Sequence, residues 1–481
     1  MLSLSLNKWL SLLESRHSTE IEFGLDRIGR VAEQLGFLPS AAHTKSSASS
    51  VSKNLTSQNT SFQSCSLAKT VVTVAGTNGK GSCVAVMDSI LREAAYCVGT
   101  YTSPHLIDYN ERICINGQPV SDKAICVAFE KIELARGDIS LSYFEFGTLA
   151  ALVILSEAKL DVVVLEVGLG GRLDAVNLID ADIAVVTSIA LDHQDWLGTD
   201  LNQIAAEKAA IGREGRPLIC GDEKPVSGLL ETAEKIGAQL FLNGRDFSLT
   251  QFGVLNPTTL PPASVACALQ AVNLFDSNVS ELIMKKGLNQ TRIKGRYQHI
   301  DIANTHVILD VAHNPQASEL LAKRLSSLSG NIIAVVGVMS DKDIQAILEP
   351  MIPLVKVWHV CDIHSQARAA TAKNLALDLT LLLLTKALRN KARYNNEQNK
   401  KGQDKVGVHS TAIPGETRVI EESSPVAAIQ AALSGIESGA ETGSTVVVFG
   451  SFFTVGPVLD WFEKESESWL NISRAGRVSG D

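Results

Sequence analysis

The 481-residue sequence has no CxxC pair: its eight cysteines stand singly, several of them in apolar stretches such as those around Cys97, Cys220 and Cys361. That scatter offers neither a disulfide framework nor regular metal-ligand spacing, so the thiols are expected to be reduced, as in a cytoplasm. Long hydrophobic runs are missing too. Runs such as Leu379 to Leu384 are far too short to span a bilayer. A basic surplus is also absent, because 43 Lys and Arg face 52 Asp and Glu for a net charge of −9, which argues against a nucleic-acid or anionic-membrane partner. The opening MLSLSLNKWLSLLESRH lacks the basic n-region of a secretory signal and is interrupted by Asn7, Lys8 and Glu14. Trp9, Leu12 and Leu13 fit an amphipathic helix instead, and the expected location is the cytoplasm.

What is present is a recurrent alternation of β-branched runs with helical patterns. The runs are Val71–Val74, Val162–Val167, Ile183–Ile189, Pro217–Cys220, Val307–Val311, Ile332–Val338, Val355–Val360 and Val446–Phe449. Near-continuous apolar runs suit parallel strands covered on both faces, so the fold class is α/β. The length exceeds what one core supports, and the basic, glycine-containing stretch KKGLNQTRIKGRYQ suggests a boundary between residues 1–290 and 291–481. Two polar stretches, at 44–66 and about 391–422, bury little and read as surface insertions.

The most informative segment is VVTVAGTNGKGS, residues 71–82. A strand run stops at a loop of Gly76, Thr77, Asn78, Gly79, Lys80, Gly81 and Ser82, and Val84, Met87, Ile90, Leu91 and Ala94 continue at helical spacing. Glycines let the backbone approach phosphates and aim N–H groups at them, the lysine supplies charge, and the serine hydroxyl reaches a Mg²⁺ ion. Only Thr77 and Asn78 separate Gly76 from the Gly79-Lys80 pair, where the common phosphate loop has four intervening residues.

Other polar residues fall at strand ends, where ligands collect in open parallel sheets. Glu166 ends an apolar run and is a candidate Mg²⁺ ligand. Asp192, His193 and Asp195 follow the next run; His193 alone would read as an ordinary loop histidine. Lys208, in IAAEKAAIG, reads by composition as a solvated helix face, and Ser103 in SPHL offers a hydroxyl. Asp310, His313 and Asn314 follow a later strand, where a ribose contact and a structural Asp-turn explain Asp310 about equally well.

Taken in order, AGTNGKGS, TSPHL, DISLSYFEFGT, LEVGLGGRLDAVN, TSIALDHQDWLG, AAEKAAI, KGRYQ, ILDVAHNP and VMSDKDI resemble the dihydrofolate synthase and folylpolyglutamate synthase family of the Mur-ligase superfamily, most closely its bacterial bifunctional form. The resemblance implies a P-loop-type parallel-sheet ATPase domain followed by a smaller Rossmann-like α/β domain. It implies that the glycine loop, Ser264, Arg296, Asp310 and His313 bind ATP, and that Ser103, Glu166, His193 and a carbamylated Lys208 hold two Mg²⁺ ions. Lys80, Lys208 and His193 then form the catalytic set, with His193 a metal ligand and not a base. Ile21, Phe23 and Arg27 match a mobile lid over the pterin, and Ser142, Phe144, Asp174 and Ala175 match its pocket. Ser264 stands where relatives commonly carry asparagine, and glutamate-site positions near Arg368 and Thr371 align weakly.

The implied substrates are ATP, L-glutamate, dihydropteroate and tetrahydrofolates, and the implied state is a monomer. The expected chemistry is activation of the acceptor carboxylate by the γ-phosphate, then displacement of phosphate by the glutamate amine. Rival readings are polyglutamate extension alone, a Mur ligase acting on a UDP-muramoyl acceptor, and a nucleotide-dependent switch without ligation.

Overall fold

The computed structural model describes residues 4–16, 22–38, 67–255, 260–302, 305–400, 417–439 and 443–464, with the backbone alone over 390–400. The chain divides into two compact units, Met1–Arg292 and Ile293–Asp481.

The first unit carries strands β1 (Ala68–Ala75), β2 (Val98–Tyr101), β3 (Ile113–Ile115), β4 (Gln118–Pro119), β5 (Leu160–Glu166), β6 (Ile183–Val186), β7 (Pro217–Cys220) and β8 (Gln239–Leu242), joined in the order β4-β3-β2-β5-β1-β6-β7-β8. Pairing is parallel from β2 to β8, and antiparallel only at the β2-β3-β4 margin. Successive side chains of β1 point to opposite faces, yet Val71, Val72, Val74 and Ala75 are all buried, because both faces are covered. On one side Val71, Ala75, Val163 and Leu165 share a core with Trp9, Phe129, Phe146 and Leu149. There Trp9 meets Phe129 edge-on at 5.7 Å, so the expected N-terminal amphipathic helix, Leu6–Arg16, is a working part of the core. Helices Lys80–Glu93 and Glu281–Gln290 approach closely at Gly287, whose carbonyl accepts from Ser89 Oγ at 2.7 Å. A side chain at Gly287 would strike the Ile90 backbone.

The second unit orders β9 (Gln298–Ile302), β10 (Thr305–Leu309), β11 (Ile332–Val336), β12 (Val355–Cys361), β13 (Arg418–Glu422) and β14 (Thr445–Phe449) as β13-β12-β11-β14-β10-β9. All neighbours are parallel except β9, which returns antiparallel on β10. Its core centres on fully buried Trp358 and Phe449. The α/β class is therefore as expected in both units.

Two expectations need correction. The apolar runs outlast their strands: β6 stops at Val186, β10 at Leu309 and β11 at Val336, where the chain leaves the sheet. The polar stretch at about 391–422 is also not one insertion. Helix Ala372–Lys400 runs through its start, and Arg418–Glu422 pairs with β12 as an edge strand. An edge strand needs only one apolar contact, supplied by Val419, and it tolerates the charges of Arg418, Glu421 and Glu422 that made the segment look unstructured. Residues 44–66, like 401–416, lie outside the described residues. No helix among the described residues is long and apolar enough to cross a membrane.

Candidate functional site

The glycine loop leaves the carboxyl end of β1, the strand flanked by β5 and β6, and leads directly into helix Lys80–Glu93. Gly76 and Gly79 have φ of 146° and 81°, values that side chains rarely adopt. Space excludes a side chain as well: a Cβ on Gly76 would run into Thr187 Oγ1, and one on Gly79 into Ser264 Oγ. The loop is latched to the chain after β6. Thr77 N donates to the Ser188 carbonyl at 2.8 Å, Asn78 N donates to Ser188 Oγ at 3.1 Å, and Thr187 Oγ1 donates to the Asn78 carbonyl at 2.7 Å. Thr77 Oγ1 also exchanges hydrogen bonds with Ala190, accepting from its N–H at 3.0 Å. Such a loop holds its shape before any ligand arrives.

Two lysines converge on one carbonyl. Lys80 Nζ donates to Gly76 O at 3.0 Å, and Lys208 Nζ donates to the same oxygen at 3.3 Å. The solvated face that composition gives Lys208 is wrong, since the residue is buried. Small neighbours, Ala205 and Ala209, let its helix Leu201–Ala209 pack against the sheet and carry the lysine inward. Burial draws its amine down to about 7, the Lys80 charge pushes the same way, and Asp192 and Asp174 oppose both. Asp174 is shifted oppositely. Burial raises its carboxyl to about 6 although Leu169 N and Val176 N donate to its two oxygens at 2.9 and 3.0 Å and Lys80 favours its charge.

Glu166, the last residue of β5, is buried beside Gly81 and accepts from Ser103 N at 3.3 Å. Ser103, Glu166, Ser82 and Lys80 thus occupy one strand-edge region. His193 starts the short helix Gln194–Leu197 with φ of 49°, and its N–H donates to Asp192 Oδ1 at 2.8 Å. Among the described residues no three His, Cys, Asp or Glu side chains converge on a cation position. As an ammonium, Lys208 cannot be a ligand of a divalent cation.

The pterin-side residues fall into two kinds. Phe144 is half-buried, with its ring against Gly168 and 6.2 Å from Tyr101, so it is not a simple core residue. Phe23 meets Trp196 edge-on at 5.9 Å, and Arg27 pairs with Glu22 and with Glu145 at 3.0 Å. Ser142, by contrast, caps helix Tyr143–Ser156, accepting from Glu145 N at 3.2 Å while Glu145 accepts from Ser142 N. Ala175 opens the turn that Asp174 caps, and Ile21 lies outside the described residues. Sequence reasoning missed a buried cation next to them: Arg112 lies over the Tyr109 and Tyr143 rings and donates to His105 Nδ1 at 2.8 Å. Thr187 and Ser188 were missed as well, because the apolar run Ile183–Ile189 reads straight through them.

In the second unit Asp310 follows β10 and accepts from Tyr297 N and Ala312 N, both at 2.9 Å. Desolvation raises its carboxyl, and the nearby Arg296 guanidinium limits the rise. Arg296 and His313 share the Phe452 ring, at 5.1 and 5.8 Å. Asn314 caps helix Pro315–Leu325. Arg368 lends its carbonyl to Ser340 N and Oγ, and Thr371 Oγ1 accepts from Asn374 N at 3.2 Å.

Both units have counterparts among known proteins. Residues 74–245 match the Mur ligase middle domain, and residues 295–452 match the Mur ligase glutamate ligase domain. The Escherichia coli K12 protein named dihydrofolate synthase/folylpolyglutamate synthase is 42% identical over 385 residues, 77% of this chain and 84% of that protein. The structure of E. coli FolC in complex with DHPP and ADP superimposes with a TM-score of 0.78 at 36% identity, covering 96% of this chain and 98% of that one. That of the Yersinia pestis bifunctional folylpolyglutamate synthase/dihydrofolate synthase with AMPPNP and Mn gives 0.76 at 35%, with the same coverage.

Proposed function

Since this chain belongs to the dihydrofolate synthase/folylpolyglutamate synthase family of Mur ligases, we propose that it joins L-glutamate to dihydropteroate and to the γ-carboxylate of tetrahydrofolates, at the expense of ATP. The observation that carries the reading is the pair Lys80 and Lys208 on the Gly76 carbonyl, one on the phosphate loop and one buried beside it. A carboxylate is a poor electrophile and does not condense with an amine at neutral pH. Transfer of the γ-phosphoryl group makes it an acyl phosphate, and the glutamate amine then displaces phosphate through a tetrahedral intermediate.

In this reading the loop amides and Lys80 stabilise charge on the transferred group, and the latch to Thr187 and Ser188 keeps those donors aimed. Magnesium, when bound, would neutralise phosphate charge, and Ser103, Glu166, His193 and a carbamylated Lys208 are the residues that would hold it. Burial supports the Lys208 assignment in a specific way: an amine drawn down to about 7 is largely unprotonated at mildly alkaline pH, and its lone pair can add to CO₂ to give an anionic carbamate. Asp310, Arg296 and His313 are assigned to the nucleotide, the acid to its ribose. Phe144 offers the flat face for the pterin, with Phe23 and Arg27 on the lid. Ser142 and Asp174 serve the same pocket as framework, because their polar atoms are already committed to caps.

The test is an ATP- and glutamate-dependent assay run in parallel with dihydropteroate and tetrahydrofolate. Product from both acceptors is expected. Product from tetrahydrofolate alone reduces the proposal to polyglutamate extension, and ADP release that ignores glutamate overturns it.

A further inference from the structure

Helix Ala372–Lys400 buries one side against the second unit's core, with Leu375 and Leu379 fully covered and Leu382 and Leu383 packed beside them. Its opposite side is also apolar. Leu377, Leu381, Leu384 and Leu388 are 60%, 49%, 57% and 68% exposed, which is unusual for four leucines on a single helix. At about 100° per residue they fall within an arc of roughly 60°. Their spacing of four, three and four is that of alternating d and a positions in a heptad, a seam that pairs with another helix. Solvent does not call for such periodicity; scattered surface leucines would serve as well.

The same register sorts the polar neighbours. Asn374 takes the a position one step before Leu377, Lys373 the preceding g, and Asp378 the following e. In a parallel pair of identical helices, each g residue faces the e residue five positions on in its partner, so Lys373 faces Asp378 twice. The next g to e pair, Thr380 with Thr385, brings no like charges together. An asparagine at a single a position is the device that fixes register and favours two strands. Lys373, Asn374 and Thr380 are exposed and Asp378 is half-buried, so these side chains lie at the surface.

We infer that this face is a self-association surface, occupied by the same helix of a second copy in parallel, in-register coiled-coil pairing about a two-fold axis. This departs from the monomer that the family resemblance implies. The seam from Asn374 to Leu388 is short, and stable interfaces bury about 1,200 Å² or more, so the dimer depends on concentration. The helix is already built into its domain, and pairing therefore costs no helix nucleation.

Sedimentation of the full-length protein across a wide concentration range tests this. The apparent mass should rise toward twice that of the chain. Leu381→Gln with Leu384→Gln should abolish the rise while leaving the unfolding temperature and glutamate-dependent ADP release intact. Lys373→Asp and Asp378→Lys should each weaken association by about tenfold, and together restore it. The charge exchange also keeps the proposal open to refutation if the leucine variant misfolds. A mass that stays monomeric at every concentration overturns it, as does a dimer indifferent to both sets of substitutions. Failure of the double charge exchange to restore association rejects the parallel register.

Discussion

The two strand edges of this chain are alike in plan and unlike in charge. Each sits at the carboxyl ends of a parallel sheet, and at each an acid accepts two backbone amides, Asp174 in the first unit and Asp310 in the second. The first edge adds two lysines on one carbonyl and a loop latched through Thr77 and Asn78 to the chain after β6. The second has one acid, with Arg296 beside it over an aromatic ring. An edge that must stabilise a transferred phosphoryl group has to hold mutually repelling charges in place, whereas one that only grips a nucleotide does not. Removing charge should therefore cost far more at the first edge than at the second.

The largest contrast is expected from Lys80→Ala. Loss of a preorganised charge on the transferring group should lower glutamate-dependent ADP release by about 10³-fold, with little change in stability. A rate near that of the parent protein would break the comparison at its strongest point.

Lys208 sharpens it, because activity and stability should move in opposite directions. Lys208→Met should abolish ligation. Lys208→Ala should be inactive as well, but should regain some rate with added small carboxylates, whereas full activity without them refutes the carbamate. The buried amine titrates near 7 in the fold and at the ordinary 10.5 when unfolded, so its contribution to stability is present above 10.5 and lost as pH falls through 7. In protein stripped of bicarbonate, Lys208→Met should thus be more stable than the parent at pH 7 by on the order of a few kcal/mol, with the gain shrinking toward pH 10. Denaturant unfolding at both pH values would show this, and a constant difference would contradict it.

Gly79→Ala tests the packing of the loop rather than its charge. Its new methyl meets Ser264 Oγ, and the φ of 81° is strained for alanine, so a loss of about 1–3 kcal/mol is expected with weakened nucleotide binding. Ser264→Gly in the same chain should recover the steric part and leave the backbone part. Equal nucleotide affinity in Gly79→Ala and the parent would mean that the loop is not held as described.

How much of this was legible beforehand follows from what each residue does locally. The strands, the α/β class and the glycine loop are periodic or composed of residues with few other uses, and they were readable. Lys208 was readable only through resemblance, since a lysine among alanines has the same local pattern whether its helix face is wet or packed. Thr187 and Ser188 were hidden because the apolar run seemed to continue through Ile189. Edge strand Arg418–Glu422 was hidden because pairing with Val357–Cys361 is a long-range fact that five mostly charged residues do not announce. The leucine face of Ala372–Lys400 looked like one apolar run, and only the burial of Leu375 and Leu379 separates its two sides.

The smallest effect is expected at the second edge, from Asp310→Asn. The amide keeps one acceptor oxygen, so one of the two amides now served, Tyr297 N or Ala312 N, loses its partner. Ligation should survive with a raised requirement for ATP, because a ribose contact weakens and no charge on the transferred group changes. The pH response gives a second reading. Burial raises the Asp310 carboxyl, so the fold binds a proton there more readily than the unfolded chain does. The stability that this protonation lends is complete below the ordinary carboxylate value and is lost as pH rises through the higher folded value. Asparagine has no such titration. Unfolding curves should accordingly show the parent protein gaining on Asp310→Asn as pH falls across that window, and two curves that remain parallel would mean that Asp310 is ionised and solvated, an acid of the surface and not of the site.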